Sequence, residues 1–291
     1  MSKHFRIYGA LFTGQLRITL ETAAQLEASL TDELLRTESP PMADWLEGFF
    51  SMRLHVLIRF GRWSDILELQ LPQDQELYST TTAMVHYAKG IALANLDRID
   101  EAVKERELFR QALSKVQDSR TLFNNTCKDI LGVAGAMLDG ELEYRRGDTA
   151  TGLHHLQKAV EASDHLPYDE PWGWMQPPRH ALGALLLEQG RIDEATKVYV
   201  ADLGLDDTLP RALQHPNNLW ALHGYHECLA QREGLESDLA RFVKKQLLLA
   251  AASADVPIVA SCYCRSTGLE KSEKESKGYA LKPWRFNVSN S

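Results

Sequence analysis

Arg179-His-Ala-Leu-Gly-Ala-Leu-Leu-Leu-Glu-Gln-Gly-Arg-Ile-Asp-Glu-Ala-Thr-Lys-Val-Tyr199 reads as two amphipathic helices joined by a tight turn at Gly190. Leu182, Gly183 and Leu186 set a small residue between large ones on the first helix. Ala195 and Tyr199, four apart, share one side of the second. Asp193 and Glu194 fall in the first turn of that second helix, where the helix dipole favours acids.

The pattern recurs on both sides of this stretch. Upstream, Ala83, Tyr87, Gly90, Ile91 and Ala94 precede a turn at Leu96-Asp97-Arg98, and Asp100-Glu101-Ala102 repeats the acidic start of a second helix. Another pair runs from Cys127 to Ala162 around Gly147-Asp148, and Trp220, Gly224, Leu229 and Phe242 mark a pair downstream. Two earlier pairs are worn. One spans Ile7 to Leu35 with a break at Thr13-Gly14-Gln15, and one spans Met42 to Leu69 with a break at Gly61-Arg62-Trp63. Ser39-Pro40-Pro41 separates them, because proline removes a backbone donor and disfavours helix before it. No alternating Val/Ile/Thr run with hairpin turns stands out, so essentially no sheet is expected, and Val256 to Cys264 is the one candidate for extended chain.

The totals agree with a folded chain. Across 291 residues, 44% are hydrophobic and 25% charged, enough to bury a sizeable core. A net charge of −8 with no long Lys/Arg cluster argues against nucleic-acid binding through phosphate neutralisation. No apolar run approaches the roughly 20 residues of a membrane span, so no membrane insertion is expected, and the start of the chain lacks a signal-peptide core. Four cysteines, Cys127, Cys228, Cys262 and Cys264, are too few for a disulfide framework. The expectation is a soluble cytoplasmic protein. Its domain covers residues 1–265, followed by a mobile Lys/Glu/Ser-rich tail over 266–291.

Leu182-Gly183, Gly190 and Ala195 with Tyr199, together with Trp220-Ala-Leu-His-Gly224 and Gly90 with Ala102, resemble the tetratricopeptide repeat family. The chain is also similar, from about Trp45 to Cys264, to the C-terminal part of longer bacterial and fungal proteins of that family, as a shortened member lacking earlier repeats would be. The resemblance implies an all-α, right-handed solenoid of five or six helix pairs, with a concave face that binds a peptide or other ligand. Carried over position by position, it places Tyr87, Ile91, Glu141, His180 and Tyr225 on that face. Departures are His223, where Leu is usual, and Arg106, where an aromatic is usual.

Two readings of function follow. In the first, the chain is a scaffold or binding protein for an unidentified protein, peptide or small molecule, its groove lined by those five residues and floored by Trp172 and Trp174 from the Pro/Trp-rich connector over 166–178. In the second, it is an enzyme of a bacterial or fungal metabolic pathway acting on a small molecule. Its acid/base pair would be His180 with Glu141, or its metal would be zinc or copper held by Cys262, Cys264, His223 and His226. Two thiols one residue apart can turn to one soft ion, and histidines three apart share a helix side. No Gly-rich phosphate loop or G-x-S-x-G motif is present.

Overall fold

In the computed structural model the described residues are 2–265 and 282–287. The chain is all-α apart from one tiny hairpin. Fourteen α-helices are described: α1 Ser2–Phe12, α2 Leu16–Ser29, α3 Asp32–Leu35, α4 Met42–Leu46, α5 Ser51–Arg59, α6 Trp63–Leu67, α7 Ser79–Asn95, α8 Ile99–Leu113, α9 Cys127–Arg145, α10 Thr149–Asp164, α11 Pro178–Glu188, α12 Ile192–Leu203, α13 Leu219–Glu233 and α14 Asp238–Ala251. The helix breaks fall where Gly and polar residues interrupt the apolar period, and Gly14, Gly61, Gly147 and Gly190 all adopt the left-handed conformation that glycine tolerates. Thr126, Asp148, Asn218 and Ser237 cap the starts of α9, α10, α13 and α14 through their side-chain oxygens.

From α7 onward each helix packs on the next, giving four successive antiparallel pairs, and α7 also lies on α9 as α11 does on α13. Small residues set these approaches. A side chain at Gly140 would strike Leu156 across the α9/α10 pair, and one at Gly90 would strike Leu138 between α7 and α9. The sheet is an antiparallel hairpin of β1 Thr121–Leu122 and β2 Asn125–Thr126, inside the polar connection before α9. The expected extended segment at Val256 to Cys264 forms no strand. It runs through bends and turns, held by bonds such as Tyr263 Oη to the Pro257 carbonyl.

The array is not open. All nine residues of α5 are buried, and this helix touches α1, α2, α6 and α7. The first pair meets the last: the Asp255 carboxylate accepts from the backbone N–H groups of Leu16 and Arg17 at 2.7 and 2.9 Å, capping α2, and Trp220 Nε1 donates to the Leu11 carbonyl at 2.8 Å. A side chain at Gly14 would meet Leu219 at 2.9 Å, so the α1/α2 turn is pressed against the start of α13.

Most of the expected mobile tail lies outside the described residues, but the part over 282–287 is packed. Trp284 is buried under Arg53 and donates from Nε1 to the Gln70 carbonyl at 2.9 Å, while Phe286 meets the rings of Phe50 and Tyr78. No described helix is long and apolar enough to cross a membrane.

Candidate functional site

His55 and Arg59, four apart on α5, face the same way, and so do His4 and Tyr8 on α1. The first pair lies in a helix buried on every side, and His4 lies on the buried stripe of α1 with Ile7 and Leu11. The connector over 165–177 is drawn against α5, where Gln176 Nε2 donates to the His55 carbonyl at 2.7 Å, and it brings Trp174 and Met175 to the row. Pro178 opens α11 with its φ already helical, which fixes His180 two residues on.

The lower half of the row is a closed polar network. Arg59 Nη2 donates to His180 Nδ1 at 2.7 Å, and His180 Nε2 donates to the Asp202 carboxylate at 2.8 Å. Because arginine only donates, Nδ1 must be the acceptor and the proton sits on Nε2. Asp202 also accepts from His215 Nδ1 at 2.9 Å and from Asn218 Nδ2 at 3.0 Å. Burial brings the His180 pKa down to about 4, with Asp202 pulling the other way and Arg59 adding to the decrease. Burial alone would raise the Asp202 carboxyl, but the imidazoles of His180 and His215 outweigh it and hold the group ionised, below the usual carboxylate range. Burial lowers Arg59 to about 9, with Asp202 the main opposing charge. The guanidinium also lies 3.8 Å over the Trp220 ring. At pH 7 Arg59 and Asp202 are a cation and an anion joined through the neutral imidazole of His180.

Helix α1 covers this network. The Phe12 ring stacks on His215 at 5.1 Å. Burial and then Asp202 raise the pKa of the Tyr8 phenol, with Arg59 opposing, and the Tyr8 ring lies 4.7 Å from that of Phe12.

The upper half has polar groups with nothing to bind. His55 is 0% exposed, and neither Nδ1 nor Nε2 has a hydrogen-bond partner. Trp174 packs edge-on against it at 4.7 Å, and its Nε1 is also buried without a partner. His4, stacked on Phe123 and edge-on to Phe49, places Nε2 3.1 Å from Met175 Sδ and leaves Nδ1 unpartnered. Burial takes His55 down to about 3 and His4 to about 4, so both imidazoles are neutral. A buried polar atom without a partner costs about 1–3 kcal/mol, and four such atoms stand together on one side of α5.

The expected groove residues lie elsewhere in the exposure scale than a groove requires. Tyr87, Ile91, Glu141, His180, Tyr225 and Trp174 are all buried, and only Trp172 is part-exposed. The structure corrects these six from an exposed lining to core positions, with partners such as Arg59 for His180 and Asn95 for Glu141. His180 and Trp174 belong to the row just described, and Tyr87 reaches its edge, 5.6 Å from the Trp174 ring. Glu141 does not pair with His180. It accepts from Asn95 Nδ2 at 2.9 Å, and burial raises its pKa to about 7. The metal set is corrected too: Cys262 and Cys264 are joined in a disulfide, and among the described residues no group of three or more His, Cys, Asp or Glu side chains is placed to hold a metal ion. His223 and His226 each keep one buried ring nitrogen without a partner.

Sequence reasoning missed His4, His55, Arg59, Asp202 and Asn218. A signal existed for two of them. In Leu54-His-Val-Leu-Ile-Arg-Phe60 a histidine and an arginine interrupt a run that is apolar on every side, where no helix face is left for solvent.

Searches against protein families, curated proteins and solved structures find no match to the chain.

Proposed function

We propose that the chain is a tetratricopeptide-like binding protein that takes a small uncharged molecule inside its helical array, on the row between α1, α5 and the connector. The observation that carries this is His55, wholly buried with both ring nitrogens unpartnered beside the unpartnered Trp174 Nε1. A neutral imidazole offers one donor and one acceptor, and indole offers a donor only. His4 adds an acceptor at Nδ1 when its Nε2–H points at Met175 Sδ. The ligand therefore carries both an acceptor oxygen and a donor O–H or N–H. It is neutral, because Arg59 and Asp202 already balance each other and any added ion would be desolvated without a partner.

The repeats act here as a frame around an enclosed site rather than as an open groove for a peptide. A thermal-shift series tests this. Neutral amides and diols, such as acetamide and propanediol, are expected to raise the melting temperature of wild type refolded free of any bound compound, and acetate is not. His55→Phe, which keeps the ring and removes both nitrogens, is expected to abolish the shift. Equal shifts in wild type and His55→Phe would refute the reading.

A second reading, acid/base catalysis, is favoured by one observation. His180 has both nitrogens engaged, but His215 is only part-buried, is oriented by Asp202 through Nδ1, and has no hydrogen bond at Nε2 among the described residues. A carboxylate holding one imidazole nitrogen is the arrangement that positions the other as a base. Hydrolysis of p-nitrophenyl acetate that His215→Gln abolishes would support it, and equal rates would remove it.

A further inference from the structure

The last helix, α14, is buried only at Ala240 and Val243, with Leu247 and Ala250 partly covered. Beside that buried stripe runs a second apolar one, while Asp238, Arg241 and Lys245 hold the side opposite the core. Leu239, Phe242 and Leu249 are exposed, and Leu235 just before the helix is exposed too. Of the ten large hydrophobics exposed among the described residues, five lie within 235–249. Within the helix Leu239, Phe242, Gln246 and Leu249 are spaced three, four and three, the 3.5-residue period of a helix seam that packs against another helix. The terminal helix of a repeat array keeps a polar outer face to stay soluble alone, and here an exposed apolar stripe runs along part of that face.

We infer that the outer face of α14 is a self-association surface, where it packs antiparallel against α14 of a second copy of this chain. Charge selects the occupant. Asp238 and Lys245, seven residues apart, flank the seam on one side, the acid at its start and the base in its later half. Among the described residues Lys245 pairs with no carboxylate, and Asp238 has only the exposed contact to Arg241 within its own helix, worth little. Two copies side by side in opposite directions set the acidic start of each against the basic half of the other. A parallel arrangement would align like charges. The single polar seam residue, Gln246, helps to fix the register, as a lone polar group in an apolar seam does. The face is thus complementary to itself, as a two-fold interface requires.

The test is sedimentation equilibrium of the full chain over a range of concentrations, with crosslinking of a mixture of isotopically light and heavy copies. A monomer–dimer equilibrium is expected, with light-to-heavy crosslinks at Lys244 or Lys245. Phe242→Glu is expected to weaken it by about 30-fold or more, as for a central interface anchor, while leaving the melting curve of the monomer unchanged. Asp238→Lys and Lys245→Asp are each expected to weaken it and the double variant to restore it. A wild type that is monomeric throughout, a dimer indifferent to Phe242→Glu, or lysine crosslinks found only to Lys271, Lys274 or Lys277 of the same chain would each overturn the inference.

Discussion

The ring of Tyr199, on α12, occupies the space that a side chain on Gly183 of α11 would need: a Cβ there would lie 2.5 Å from Tyr199 Cζ, and one on Gly224 of α13 would clash with the same ring. One aromatic thus sets the separation of two successive first helices. Tyr199 cannot swing away freely, because it is fully buried and its hydroxyl is hydrogen-bonded to Ser261 at 2.6 Å. Gly183→Ala and Gly224→Ala are each expected to destabilise by about 1–3 kcal/mol through overpacking. Gly132, in the exposed face of α9 with open space around it, is the control, and Gly132→Ala should stabilise by about 0.5–1 kcal/mol through helix propensity. Denaturant midpoints that move the same way in all three would contradict the packing account.

The buried neutral histidines tie stability to pH. The pKa of His55 falls from 6.5 to about 3 on folding, so between those values the unfolded chain holds a proton that the folded chain refuses. That cost is absent above pH 6.5 and grows as pH falls below it, by about 1.4 kcal/mol per pH unit for one proton. His55→Phe should therefore unfold less steeply with acid than the ligand-free wild type, by that slope, and should be at least as stable as it at pH 7 because two orphaned nitrogens are gone. Parallel stability curves from pH 7 to 5 would show that His55 is protonated inside the fold.

Glu141 works in the opposite direction. Its pKa rises from 4.5 to about 7 on folding, chiefly by burial, so the folded chain holds a proton that the unfolded chain has released across that window. Stability from this group is present below pH 4.5 and lost as pH rises to 7. Glu141→Gln, which can keep an acceptor for Asn95, should stabilise by about 1–3 kcal/mol at pH 8 and show no such gain near pH 4.5. A loss of stability at pH 8 would mean that the carboxylate has a partner beyond Asn95.

The segment over 282–287 should matter to folding. Trp284 is buried, with its indole N–H on the Gln70 carbonyl and Arg53 above its ring. Trp284→Ala is expected to cost about 3–5 kcal/mol. An unchanged melting temperature would show that this segment does not dock in solution.

Much of the fold was legible in the chain because its turns are local. Gly14, Gly61, Gly147 and Gly190 announce themselves by glycine and polar neighbours, and the four pairs from α7 onward fall where the apolar period says, whereas the expected pair over Met42 to Leu69 is broken into short pieces. The closing contacts were not legible. His4 meets Met175 across 171 positions and Arg59 meets His180 across 121, and no periodicity within a helix encodes such a distance. Reading Tyr87 and His180 as groove residues could not foresee the distant partners, Trp174 and Arg59, beside which they are buried. The thiols failed for another reason: one intervening residue suits a shared metal, but it also lets Cys262 and Cys264 bond to each other.

The central claim is that the row beside His55 holds a small neutral molecule, and the most direct measurement is mass spectrometry of what the purified protein releases on denaturation. The wild type should release one low-mass compound carrying donor and acceptor groups, in amounts comparable to the protein itself, and His55→Phe, prepared in parallel and equally folded, should release none. The same small-molecule profile from both proteins would contradict the account.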